Sequence, residues 1–153
     1  QKAWIPSLAA MLEDLPLSES EKWCHQMRFK RDDTEAILQC LGRVPEIIKV
    51  LSGEVLSPSE VTDFLDPLVG EALAYLYVLG GPQPRKSIVS YIEKWRYITP
   101  EVKGHDLAEL GLKPSRAYTR ILSQLRAAKL DGKVTDRDEE MKLARKLERK
   151  AKE

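Results

Sequence analysis

Only two histidines, His25 and His105, and two cysteines, Cys24 and Cys40, are available for metal or nucleophilic chemistry in this chain. The adjacent His105-Asp106 pair puts an imidazole beside a carboxylate, a pattern suited to holding a divalent ion and activating water. Such a centre needs further ligands, and neither a second His pair, an H-E-x-x-H spacing nor a C-x-x-C spacing supplies them. Glycine-built phosphate cradles of the G-x-x-x-x-G-K-[ST] or G-x-G-x-x-G kind are absent as well. The carboxylates fall mainly at expected helix starts, where they complement the helix dipole. The expectation is a chain with no catalytic residues and no metal ligands of its own; a hydrolase built on His105-Asp106 is the alternative that a bound divalent metal would reveal.

A second kind of chemistry is cationic. Lys113 and Arg116 flank Pro114 at an expected helix start, where backbone N–H groups also attract phosphate. Along that helix, to about Leu130, Tyr118, Ile121, Leu122, Leu125 and Ala128 share one face. At 100° per residue Arg116, Arg120, Ser123 and Gln124 lie on the other. The result is a basic corner that presents amides; the same residues also fit a solvated helix face with an ordinary cap. Charge along the chain is uneven. Residues 1–81 hold 7 Lys/Arg against 13 Asp/Glu, net −6, and residues 82–153 hold 18 against 11, net +7, so a polyanion should meet the second half.

The elements that must carry these residues read as all-α, because apolar residues recur at helical spacing and period-two alternation is not sustained. Ser18 with Glu21 fits a capping box opening a helix from about Ser18 to Phe29. Asp32 or Asp33 is placed to cap the next helix, and Gly42 to end it. Pro45, Gly53 and Ser57-Pro58 with Glu60 delimit two short helices, and a further one is expected from about Pro84 to Tyr97. Its stripe of Ile88, Tyr91, Ile92 and Trp95 reads as core more readily than as a stacking platform, and Trp4, Trp23 and Trp95 read as buried anchors more readily than as base-stacking rings. Beyond Thr99-Pro100, Asp106 is placed to cap a short helix that Gly111 closes. Asp131-Gly132 turns the chain, and Thr135 with Asp138 caps a last, charged helix. The Gly-Gly-Pro-Gln-Pro stretch at 80–84 coincides with the charge reversal and marks a candidate boundary, with a second break at Thr99-Pro100.

At 153 residues the chain is long enough to bury a core without staples. Its 32% charged residues suit solvated helix faces rather than disorder. The longest apolar run, near 73–79, is too short to span a bilayer, and the first residues lack a basic region followed by a hydrophobic stretch. Cysteines without disulfide or metal spacing fit a reduced compartment, so a soluble, cytoplasmic protein with no membrane partner is expected.

The order G-x-D-L-x-x-L-G-x-x-P is carried here by Gly104, Asp106, Leu107, Leu110, Gly111 and Pro114. A helix follows it, then Leu130-Asp131-Gly132, Thr135 and the Glu139-Glu140 pair. This order resembles the C-terminal tail of bacterial class II tRNA nucleotidyltransferases, the family of CCA-adding, A-adding and poly(A) polymerase-like enzymes. The resemblance covers residues 104–144 specifically and the rest loosely. Where many relatives have P-G-P, this chain has Pro114-Ser115-Arg116, which adds a positive charge at that corner.

The resemblance implies a multi-helix body over residues 1–98 and a smaller helical tail over 99–153 that together hold the acceptor and T-arm side of tRNA. An N-terminal head would add nucleotides to the 3′ end with magnesium and ATP or CTP. Head signatures of the G-[GS]-x-[VA]-R-D, D-x-D and E-D-x-x-R kinds are not found in this sequence, so the chain reads as a fragment without catalysis or cofactor of its own. The implied work is backbone recognition, in which cations neutralise phosphates and read the shape of A-form RNA. Lys113, Arg116, Arg120, Arg126, Lys129 and Lys133 are the candidate RNA-binding group, with Arg85 and Lys86 outside it. Gly104, Asp106, Gly111, Pro114, Asp131 and Gly132 are the candidate structural motif. The rival reading is a structural or protein-binding helical module without RNA affinity.

Overall fold

The computed structural model describes residues 2–53, 55–109 and 116–152, with side chains in the last stretch described for 118–149. Among them every regular element is helical and no strand forms. The chain divides into two compact units, Gln1–Leu56 with Asp63–Glu93, and Ser57–Thr62 with Lys94–Glu153.

The first unit holds α1 (Trp4–Met11), α2 (Leu17–Gln26), α3 (Arg31–Leu38), a π-helical turn (Gln39–Arg43), α4 (Val44–Gly53), α6 (Gly70–Leu79) and α7 (Pro82–Glu93), together with the end of α5 (Pro58–Leu65). Its core is the stripe Ile37, Cys40, Val44, Ile47 and Leu51, packed with Ile5 and Ala9 of α1, Ala72 and Leu76 of α6, and Ile88 of α7. Burial pushes the Cys40 thiol up to about 12 and raises the Cys24 thiol too, so neither is a ready nucleophile.

Several local expectations are corrected here. Gly42 does not end a helix: α3, the π turn and α4 run on without a break. The turn places the buried Gln39 amide where its Oε1 accepts the Val69 N–H at 2.9 Å and its Nε2 donates to the Pro67 carbonyl at 3.4 Å. Gly42 instead makes room for Leu17, whose Cδ2 would lie 3.1 Å from an added Cβ. α2 starts one residue early, with Pro16 in extended conformation as its cap and no side-chain bond from Ser18. α3 likewise starts ahead of Asp32 and Asp33, at Arg31 with Lys30 in the cap position and no side-chain cap bond; Asp33 lies in the first turn, buried and paired with the Lys2 ammonium. At the stretch 80–84 the chain turns directly from α6 into α7, with Pro82 and Pro84 in a first turn that needs no N–H donors. Ile88 and Tyr91 are buried as expected, whereas Ile92 is exposed. Trp4 is exposed on one side while its ring rests on Phe29, centroids 5.6 Å apart, and Trp23 packs on the same ring at 5.7 Å.

The second unit holds the start of α5, a 3-10 turn (Trp95–Tyr97), α8 (Gly104–Glu109), α9 (Arg116–Leu130) and α10 (Arg137–Lys152). Ser57 and Glu60 form a reciprocal cap, with the Ser57 N–H and hydroxyl both donating to Glu60 Oε2 at 2.8 Å. These bonds, the backbone one foremost, lower the Glu60 pKa. α9 and α10 pack side by side around Val102, Leu107, Ile121, Leu125 and Ala144, flanked by Tyr118, Leu122, Met141 and Leu147. The cap of α10 is Asp136, which accepts the Glu139 N–H at 2.9 Å, while Glu139 reaches back to the Thr135 N–H at 2.7 Å. The box is thus shifted by one residue from the expected Thr135 and Asp138.

Candidate nucleic-acid interface

Sixteen Lys/Arg and eleven Asp/Glu fall in the second unit, net +5, and it carries most of the expected RNA-binding residues. The α9 faces divide as the sequence indicates: Ile121, Leu125 and Ala128 are buried, and Arg120, Ser123 and Gln124 are exposed. Lys113, Gly111 and Pro114 lie outside the described residues, as does the Arg116 side chain.

Three of the expected cations are held by other work. Lys129 donates from one ammonium to Glu140 and to Glu101, both at 2.9 Å. The Glu140 bond, then the Glu101 bond, raises its pKa. Its ammonium neutralises a carboxylate with no exposed surface. Arg126 is half-buried and donates from Nε to the Ile98 carbonyl at 3.0 Å. Arg85, in the first unit, caps the end of α6 by donating to the Tyr77 and Val78 carbonyls at 2.9 Å each, with its guanidinium over the Tyr77 ring. Lys133 is mostly exposed, its ammonium 3.0 Å from Asp131, and Lys86 stands exposed on α7.

The motif residues explain one another. Asp106 caps α8 from within its first turn: buried, it accepts the N–H of Lys103, just ahead of the helix, at 2.7 Å and an Arg137 guanidinium N–H at 2.6 Å. The backbone bond from Lys103, reinforced by Arg137, holds its carboxyl below the usual range. His105 sits 3.4 Å away and is itself exposed. Glu140 accepts the N–H groups of Glu101 at 2.7 Å and Val102 at 2.9 Å. Three successive amides, 101 to 103, are therefore tied to two buried carboxylates. Asp131 accepts the N–H and hydroxyl of Ser59, both at 3.0 Å, and the Lys133 ammonium. Burial pulls its pKa upward, but the bonds from Lys133 and Ser59 outweigh that, and the net shift is downward. Gly132 has φ +70°, a conformation that strains any residue with a Cβ.

A depressed folded pKa contributes stability that is present above the unfolded value, near 4, and is lost as pH falls through the folded one. For Asp106 the expected result is a gap in unfolding free energy between wild type and Asp106→Asn that is full at pH 7 and narrows below about pH 4. Urea titrations at a series of pH values measure it; a gap independent of pH would show that the carboxylate charge contributes nothing.

Sequence reasoning missed Lys103, Arg137 and the burial of Glu140. Arg137 meets Asp106 across 31 residues and Glu140 meets the Glu101 and Val102 amides across 39 and 38, beyond any local pattern. Among the described residues no three His, Cys, Asp or Glu side chains come together as a metal site, and no helix is long and apolar enough to cross a membrane.

An A-adding tRNA nucleotidyltransferase of Geobacter sulfurreducens is 26% identical over 157 residues, covering 95% of this chain and 17% of that protein. A second A-adding tRNA nucleotidyltransferase, of Halalkalibacterium halodurans, is 28% identical over 77 residues, covering 50% of this chain and 18% of that protein. The chain is thus similar to two A-adding tRNA nucleotidyltransferases. It spans less than a fifth of the length of these curated relatives. No family model matches it, and no solved structure does. The similarity to the Geobacter nucleotidyltransferase extends over nearly the whole chain, and so over both compact units rather than over the motif-bearing one alone.

Proposed function

We propose that this chain is the C-terminal, tRNA-holding helical region of a tRNA nucleotidyltransferase working in the cytoplasm. The observation that carries the reading is its similarity, over 95% of its length, to a protein named as an A-adding tRNA nucleotidyltransferase. The charge of the second unit supports it, since exposed cations such as Arg120 and Lys133 can neutralise phosphates of the acceptor and T-arm side without reading bases. Nucleotide transfer, with magnesium and ATP or CTP, is assigned to residues outside this chain. The described residues do not fit that group: Asp106 is occupied by Lys103 and Arg137, and no carboxylate cluster stands beside it.

The test is binding of labelled tRNA, against double-stranded DNA of equal length, from low to moderate salt. Expected is tighter binding of tRNA, with log affinity falling linearly in log salt by about 0.7 to 0.9 per neutralised phosphate. Absence of tRNA binding at low salt would favour the structural-module reading instead.

A further inference from the structure

Three pockets differ in charge; one of about 420 Å³ that shares Lys103 also has Glu101 and Asp106 in its lining. The groove of about 1090 Å³ in the first unit is lined by Arg31 and Arg43 but also by Glu21, Glu35 and Glu46, which cancel any preference for an anion. A pocket of about 330 Å³ in the second unit, between residues 100–104 and α9, has Lys103, Arg126, Thr119 and Ser123 in its wall and no carboxylate. Its apolar floor includes Val102 and Leu122.

We propose that this pocket seats a backbone phosphate of RNA, with the Lys103 ammonium as its principal cation and the Thr119 and Ser123 hydroxyls as neutral donors. The inference rests on the RNA-holding reading above and gives it a specific seat. A cation and two hydroxyl residues in the lining of one pocket supply the kind of donors that a phosphodiester, which only accepts hydrogen bonds, requires. Arg126 adds positive charge from the side, although its Nε is committed to Ile98.

The loop is built to present Lys103. The N–H groups of Glu101 and Val102 go to Glu140, and that of Lys103 goes to Asp106. The Val102 side chain between them is fully buried. The backbone under Lys103 is therefore set before a ligand arrives, while its side chain stays exposed, with no hydrogen bond or ion pair to its ammonium among the described residues. Ordering costs on binding then fall on one side chain instead of a loop. Asp106, the aspartate of the G-x-D-L motif, acts here as a positioning residue rather than as a metal ligand.

The experiment compares tRNA binding by the wild-type chain, by Lys103→Ala/Ser123→Ala, and by Lys142→Ala/Lys146→Ala as a charge-removal control on exposed positions of α10. Expected is a loss of roughly fivefold to tenfold near 0.15 M salt for the pocket variant, with a salt slope shallower by about one. The control should lose less, and Lys103→Arg should restore most of the binding. Amide shifts of Gly104 and Ser123 on adding inorganic phosphate serve as a second readout. Wild-type tRNA binding that the pocket variant leaves untouched, or weakens no more than the control does, overturns the seat while leaving the RNA-holding reading in place. No tRNA binding with phosphate shifts present would assign the pocket to free phosphate, and no response to either would end both readings.

Discussion

Glu140→Ala is expected to lower the unfolding free energy of the second unit by about 3–5 kcal/mol, the range for breaking a buried ion pair by removing one partner. The substitution strips the acceptor from two backbone N–H groups, Glu101 and Val102, and leaves the Lys129 ammonium, 20% exposed, with only the surface carboxylate of Glu101. An orphaned buried amide costs about 1–3 kcal/mol by itself. Glu140→Gln should be milder, because the carboxamide oxygen still accepts while the charge partner is lost. Denaturant unfolding followed by circular dichroism measures both, and a cycle with Lys129→Ala isolates the coupling. A loss below about 1 kcal/mol for Glu140→Ala would mean that water replaces the carboxylate at little cost and that the 101–103 loop is not held as described.

Leu125→Ala is expected to cost about 2–5 kcal/mol. Leu125 is fully buried among Val102, Leu107, Ile121 and Ala144, so truncation removes apolar contacts and leaves a cavity that helices packed on both sides cannot close. One residue pair earlier on the same helix, Ser123→Ala should stay within about 0.5 kcal/mol of wild type, as an exposed position does. The contrast tests whether α9 is rotated as the structure has it. Similar losses at both positions would place its apolar face elsewhere.

The helical class and the two faces of α9 were legible because both depend on spacing within a few residues, the range over which periodicity operates. The helix start marked by Ser57-Pro58 and Glu60 is legible for the same reason, and the structure adds the bonds between Ser57 and Glu60 that hold it. Gly42 misled because glycine at a helix end and glycine at a close approach leave the same mark, and only the position of Leu17 tells them apart. In the sequence Glu140 is one half of the Glu139-Glu140 pair at a helix start, although it is the one that burial selects. Nothing local distinguishes it from Glu139, whose partner is Thr135; the difference is made by Glu101 and Val102, nearly forty residues upstream. Charge and helix position put Lys129 among the candidate phosphate-binding cations, and neither reveals that its ammonium pairs with the same carboxylate. Lys103 was passed over because a lone lysine in a loop gives no pattern; its interest comes from the pocket that α9 completes.

The bonds that Ser59 donates to Asp131 have a bearing on how this protein can be taken apart. The second unit is assembled from two stretches separated in the chain by some thirty residues, and the carboxylate in the Leu130-Asp131-Gly132 turn fastens the shorter stretch to the longer. It is not a cassette that a single cut can free. Any fragment begun at the 80–84 stretch or at residue 99, where the sequence alone invites division, discards Ser59 and leaves the Asp131 carboxylate to find its donors in solvent.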